Sequence, residues 1–117
     1  MRDKISLRNT TTECGVESVL EVIGGKWKGV ILYQLADGLK RFNQLGRLMP
    51  NITQRMLTRQ LRELDQDGLV HRKVYAEVPP KVEYRLTEKG QSLVPIIMQL
   101  KVWGEDNVLR PEKRKNE

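Results

Sequence analysis

The run Thr53-Gln54-Arg55-Met56-Leu57-Thr58-Arg59-Gln60-Leu61-Arg62-Glu63-Leu64, closed by Asp67-Gly68, decides the fold. Thr53 is a good N-cap, because a threonine hydroxyl accepts a hydrogen bond from a free backbone N–H of the first helical turn. A helix is therefore expected from Thr53 to about Gln66. On a wheel of about 100° per residue, Leu57, Leu61 and Leu64 share an arc of roughly 60°. Arg55, Thr58, Arg59 and Arg62 share an arc of roughly 100° on the opposite side. One face suits a core, and the other is compact, basic and carries a hydroxyl. Beyond Gly68 the hydrophobic period changes from helical to two. Val70, Arg72 and Val74 alternate with His71, Lys73 and Tyr75; after Glu77-Val78-Pro79-Pro80, Val82, Tyr84 and Leu86 alternate with Lys81, Glu83 and Arg85. Two such runs around a Pro-Pro turn read as an antiparallel hairpin.

Upstream, Val16, Val19, Leu20 and Ile23 fall at i, i+3, i+4 and i+7, the spacing of an amphipathic helix that Gly24-Gly25 stops. Trp27, Val30, Ile31 and Leu35 predict a second helix, closed by Asp37-Gly38. A third holds Phe42, Leu45, Leu48 and Met49, with neither Arg41 nor Asn43 an obvious cap, and Pro50-Asn51-Ile52 turns the chain into the fourth. Downstream, Thr87 caps a last helix of about 20 residues, kinked or interrupted at Pro95, which lacks the N–H an interior position needs. Short helices joined by a tight turn and followed by a hairpin make a mainly α winged helix-turn-helix. The expected layout is an arm over residues 1–12, the domain with its dimerisation helix over 13–108, and a charged tail over 109–117.

The chain has 117 residues, enough for one domain with one core. It carries 21 Lys plus Arg against 15 Asp plus Glu, a formal charge of +6 that attracts polyanions. No apolar run approaches the ~20 residues of a transmembrane helix. Residues 1–9 are charged and lack the apolar stretch of a secretory signal, so a cytoplasmic protein with no membrane partner is expected. A single Cys and a single His exclude an intrachain disulfide and argue against structural zinc. His71, between charged neighbours, reads as a surface residue. No spacing of Asp, Glu and Lys suggests catalysis, and neither metal nor cofactor is expected.

The chemistry of the fourth helix suits double-stranded DNA. Arginine donates two parallel hydrogen bonds to guanine O6 and N7, and glutamine pairs likewise with adenine N6 and N7. Thr53 and Gln54 stand at the start of the helix, where major-groove helices place residues that reach base edges. Arg55, Thr58, Arg59 and Arg62 continue that face, whereas Glu63 and Asp65 lie off it. The hairpin adds Lys73, Tyr75 and Lys81 near its tip, with Arg72 and Arg85 behind, as phosphate contacts. A winged helix can instead be a protein-docking adaptor, which predicts apolar anchors or mixed charge outward on the fourth helix. A thiol enzyme built on Cys14 would need a nearby base, and the only histidine sits in the wing.

In the last helix Leu93, Ile96, Ile97, Leu100 and Trp103 make one apolar face, expected to contact the chain's own core. Val94, Met98 and Val102 make a second strip that the domain could not easily cover, and such a strip marks a partner site, here a second copy. Trp27, Tyr33 and Trp103 could line a pocket, although aromatics at helical spacing more often pack in a core.

These segments resemble the HxlR family of transcription regulators, a winged-helix group of bacteria and archaea. The resemblance runs from about Cys14 to Gly104. Its markers are Ile23-Gly24-Gly25-Lys26-Trp27-Lys28, Arg41-Phe42-Asn43-Gln44-Leu45, the Ile52 to Leu64 segment, Val74-Tyr75-Ala76-Glu77-Val78-Pro79-Pro80-Lys81-Val82-Glu83-Tyr84 and Leu86-Thr87-Glu88-Lys89-Gly90. The resemblance implies a homodimer on an operator with two-fold symmetry. Some members sense oxidants or electrophiles through a cysteine near the N-terminus, the place Cys14 occupies. The family often has Cys-Pro there, whereas this chain has Cys14-Gly15, and Gly46 is another departure. Cys14 precedes a helix start, which favours negative charge, while Glu13 and Glu17 oppose it. The alternative for Cys14 is a small buried hydrophobe.

Overall fold

Thr53 does cap the decisive helix. Its side-chain oxygen accepts from the Met56 N–H at 3.0 Å, and the helix runs Gln54–Gln66. The computed structural model describes residues 14–109, so the expected arm and all but the first residue of the tail lie outside the described residues. In chain order the elements are α1 (Gly15–Ile23), α2 (Lys28–Gln34), β1 (Lys40–Arg41), α3 (Phe42–Leu48), α4 (Gln54–Gln66), β2 (Val70–Tyr75), β3 (Lys81–Leu86) and α5 (Glu88–Gly104). A π-helical turn, Glu105–Leu109, extends α5.

The core is one cluster built around Ile31, Leu32 and Leu35 from α2 and its exit, Leu45 from α3, and Leu57, Leu61 and Leu64 from α4. Leu69, Val70, Tyr84 and Leu86 extend it beneath the hairpin, and no buried charged or polar side chain interrupts it among the described residues. Helix α3 begins where the sequence left its start open: the Arg41 N–H donates to Gln44 Oε1 at 2.9 Å, tying the entry of the helix to its first turn. The turn into α4 closes as the Ile52 N–H donates to the Met49 carbonyl at 3.1 Å. Gly68, with φ at +77°, makes the sharp exit from α4 that a side chain would resist.

Three expectations are corrected. The hairpin is joined by a third strand, giving the order β1-β3-β2, with Lys40 opposite Tyr84 and Arg41 opposite Glu83. A two-residue strand has no alternation of its own and exists only through its partner. Helix α5 is not interrupted: Pro95 sits inside it, at an exposed position where water can serve the carbonyl left without a donor. Its faces also differ from those expected. Ile97 is buried and Leu93 and Val94 pack partly against the core, whereas Ile96, Leu100 and Trp103 are exposed along with Met98 and Val102. Gly90 explains the rotation. A Cβ there would collide with the Leu69 carbonyl, so the glycine must face inward, and Leu93, Val94 and Ile97 follow it at helical spacing.

Candidate nucleic-acid interface

Burying Leu57, Leu61 and Leu64 forces the opposite face of α4 outward, and Gln54, Arg55, Thr58, Arg59 and Arg62 are all exposed. Thr53 is exposed too; its hydroxyl oxygen accepts from Met56 as the cap, which leaves its O–H to donate to a phosphate. Thr58 donates its hydroxyl to the Gln54 carbonyl at 2.9 Å, which leaves the oxygen's lone pairs and the methyl to face a ligand. Arg55 and Arg62 have no acidic partner among the described residues. Arg59 differs, because its Nε lies 3.5 Å from Glu63 Oε2. Glu63 in turn holds Lys28 Nζ of α2 at 2.7 Å. The hydrogen bond and charge of Lys28, assisted by Arg59, hold the Glu63 carboxyl below the ordinary carboxylate range.

The hairpin approaches α4 through one face. Strand pairing sets Arg72 opposite Tyr84 and Val74 opposite Val82, while Lys73 faces Glu83 and Tyr75 faces Lys81 on the other side. Arg72 therefore meets Thr58, Arg62 and Asp65 across an open cleft of about 470 Å³ floored by Phe42 and Tyr84. Position in the hairpin alone does not single out Arg72. Its strand parity with Val70, a residue that must point to the core, was the signal that could have selected it.

At the tip, the Tyr75 hydroxyl donates to Glu83 Oε1 at 2.9 Å. Lys73 Nζ and Lys81 Nζ lie over its ring, 4.9 and 4.4 Å from the centroid, and Lys81 is also 3.7 Å from Glu83 Oε2. The expected trio thus comes together. Tyr75, however, spends its hydroxyl on Glu83, so its ring serves to gather the two ammonium groups. His71 is exposed, and its neighbour across the sheet is Arg85.

A second surface involves α2 and the end of α5. Val30, Tyr33, Leu100, Val108 and Leu109 border an open, largely apolar groove of about 540 Å³ between α2 and the end of α5. Of the three aromatics considered for a pocket, Trp27 and Tyr33 pack partly against the core and Trp103 is 63% exposed. Cys14 is exposed at the start of α1, which removes the buried-hydrophobe alternative. Among the described residues no cluster of His, Cys, Asp and Glu could hold a metal, and no helix is long and apolar enough to cross a membrane.

A core of short helices, an arginine-faced fourth helix and a β-wing define the winged helix-turn-helix class of transcription regulators. The chain belongs within that class to the HxlR-like helix-turn-helix family, whose sequence pattern matches residues 22–112. It is 58% identical over 107 residues to the HTH-type transcriptional regulator YybR of Bacillus subtilis (strain 168), covering 92% of this chain and 86% of that protein. A second regulator of that organism, YdeP, is 63% identical over 92 residues, 79% of this chain and 72% of YdeP. Among solved structures, the reduced form of the redox regulator HypR is 63% identical with a TM-score of 0.78, covering 80% of this chain and 93% of that one. Its oxidized form is 64% identical with a TM-score of 0.76.

Proposed function

We propose that this regulator works as a homodimer that sets α4 of each protomer into the major groove of an operator with two-fold symmetry. The observation that carries this reading is the outward face of α4, where Arg55 and Arg62, without an acidic partner among the described residues, stand beside Gln54 and Thr58. Base edges are read by Gln54, Arg55, Thr58, Arg59 and Arg62, and phosphates are held by Thr53, Lys73, Lys81 and Arg72, with Tyr75 gathering the wing lysines. The second copy covers the apolar outer side of α5, including Met98 and Val102, with Val94 at its inner margin. A regulator that works on chromosomal DNA acts, on this reading, in the cytoplasm. Selection of bound duplexes from a random pool, followed by gel shifts, tests the reading. A selected duplex bound far more tightly than random DNA is expected, and equal binding of both rejects it.

A second reading concerns control. The likeness to HypR, a redox regulator, and the exposure of Cys14 favour a thiol switch on DNA binding. With no second cysteine in the chain, an oxidant would take two electrons and two protons from two thiols. These are Cys14 of each protomer, or Cys14 and a small thiol, and a disulfide results. Diamide should change operator affinity of the wild type and not of Cys14→Ser; equal responses reject the switch.

A further inference from the structure

The Gly24-Gly25-Lys26-Trp27-Lys28 segment has no place in the interface so far, yet Lys28 reaches it from behind. Its side chain is 13% exposed and ends 2.7 Å from Glu63 Oε1, while Glu63 Oε2 faces Arg59 Nε at 3.5 Å. Two cations therefore share one carboxylate, unequally. Lys28 holds it at the length of a strong charge-assisted bond, about 2.7–2.9 Å, and Arg59 stands further off.

We propose that Lys28 is a positioning residue for base readout, acting through Glu63 to present Arg59 to DNA. The proposal rests on the DNA-facing role of Arg59 given above. Glu63 taken alone would harm that role in two ways. An uncompensated carboxylate on a groove-facing helix repels phosphates, and it can draw a guanidinium side-on into a full ion pair that competes with guanine. Lys28 removes both problems, because it neutralises the carboxylate and anchors it. Arg59 then meets Glu63 through Nε, and its side chain, 68% exposed, keeps its two terminal nitrogens available as the fork that guanine O6 and N7 accept. The depressed Glu63 carboxyl agrees with a carboxylate kept charged by Lys28 first and Arg59 second.

The test measures the ratio of affinities for the selected duplex and a scrambled duplex of equal length. Lys28→Met should lower this ratio roughly three- to tenfold, part of what a bidentate arginine contributes. Lys28→Arg should restore it. In an Arg59→Ala background Lys28→Met should leave the ratio unchanged. Equal weakening toward both duplexes, or an undiminished effect without Arg59, overturns the proposal. Should circular dichroism show Lys28→Met unfolded, Glu63→Gln asks the same question with shape preserved. Its ratio should fall even as binding to the scrambled duplex holds or tightens, and an unchanged ratio overturns the proposal. Absence of any preferred duplex for the wild type defeats the proposed function and this inference with it. A preferred duplex that Arg59→Ala binds normally defeats this inference alone.

Discussion

Helices α4 and α5 are both amphipathic in composition, yet they divide their faces in opposite ways. In α4, Leu57, Leu61 and Leu64 are buried and every other outward position is polar or charged except Met56, which is half-buried. In α5 only Gly90 and Ile97 are fully buried, while Ile96, Met98, Leu100, Val102 and Trp103 remain exposed. The first helix is finished by its own protomer and turns chemistry outward. The second leaves apolar residues exposed on much of its circumference, which is costly in water. One helix thus presents a basic polar surface and the other an apolar one.

The contrast breaks first at α5. Met98→Glu should convert a sedimenting species of about twice 13.6 kDa into one of that mass. Operator affinity should fall about a hundredfold or more as the two half-sites lose their linkage; an unchanged mass would show that this strip is not the interface. On the buried side of α4, Leu61→Ala should cost about 2–5 kcal/mol by leaving a cavity, read as a lower urea midpoint. On its outward side, Arg55→Ala should leave that midpoint unchanged and cost about 1–3 kcal/mol in operator affinity for a bidentate contact. A loss spread equally over all duplexes would assign Arg55 to phosphate instead. The smallest effect is expected at Gly46, helical within α3, where an added Cβ meets nothing within 4 Å. Gly46→Ala should therefore raise stability by up to about 1 kcal/mol, checked by thermal unfolding.

The same contrast explains what could be read in advance. Helix α4 was legible from cap to exit because Thr53, a single leucine stripe and Asp67-Gly68 are local signals that agree. The hairpin followed from its change of period. The faces of α5 were not legible, since apolar residues occur almost all round it and periodicity alone has no preferred direction. What selects the inner face is the close approach of Gly90 to Leu69, a contact between distant parts of the chain. Strand β1 and the Lys28–Glu63 pair escaped for the same reason. Each joins residues whose separation in sequence has no period to announce it. At the wing, Lys73, Tyr75 and Lys81 do come together, but Tyr75 meets the lysines through its ring because Glu83, which pairs with Lys73, claims the hydroxyl.

The junction between α4 and α5 has a consequence for the DNA itself. Thr87 donates its hydroxyl to the Gly68 carbonyl and its N–H to the Leu69 carbonyl at 3.0 Å, and Lys89 Nζ donates to the Asp67 carbonyl at 3.0 Å. The end of α4 and the start of α5 are stitched together through five residues, with Gly90 pressed against the same turn. In a dimer joined through α5, the two reading helices cannot swing apart on flexible tethers. Half-sites must then keep a strict phase. One extra base pair at the operator's centre turns one half-site by about 35° and shifts it ~3.4 Å along the axis, at 10–10.5 base pairs per turn. Such an insertion should be tolerated far less well than a base change in the same spacer.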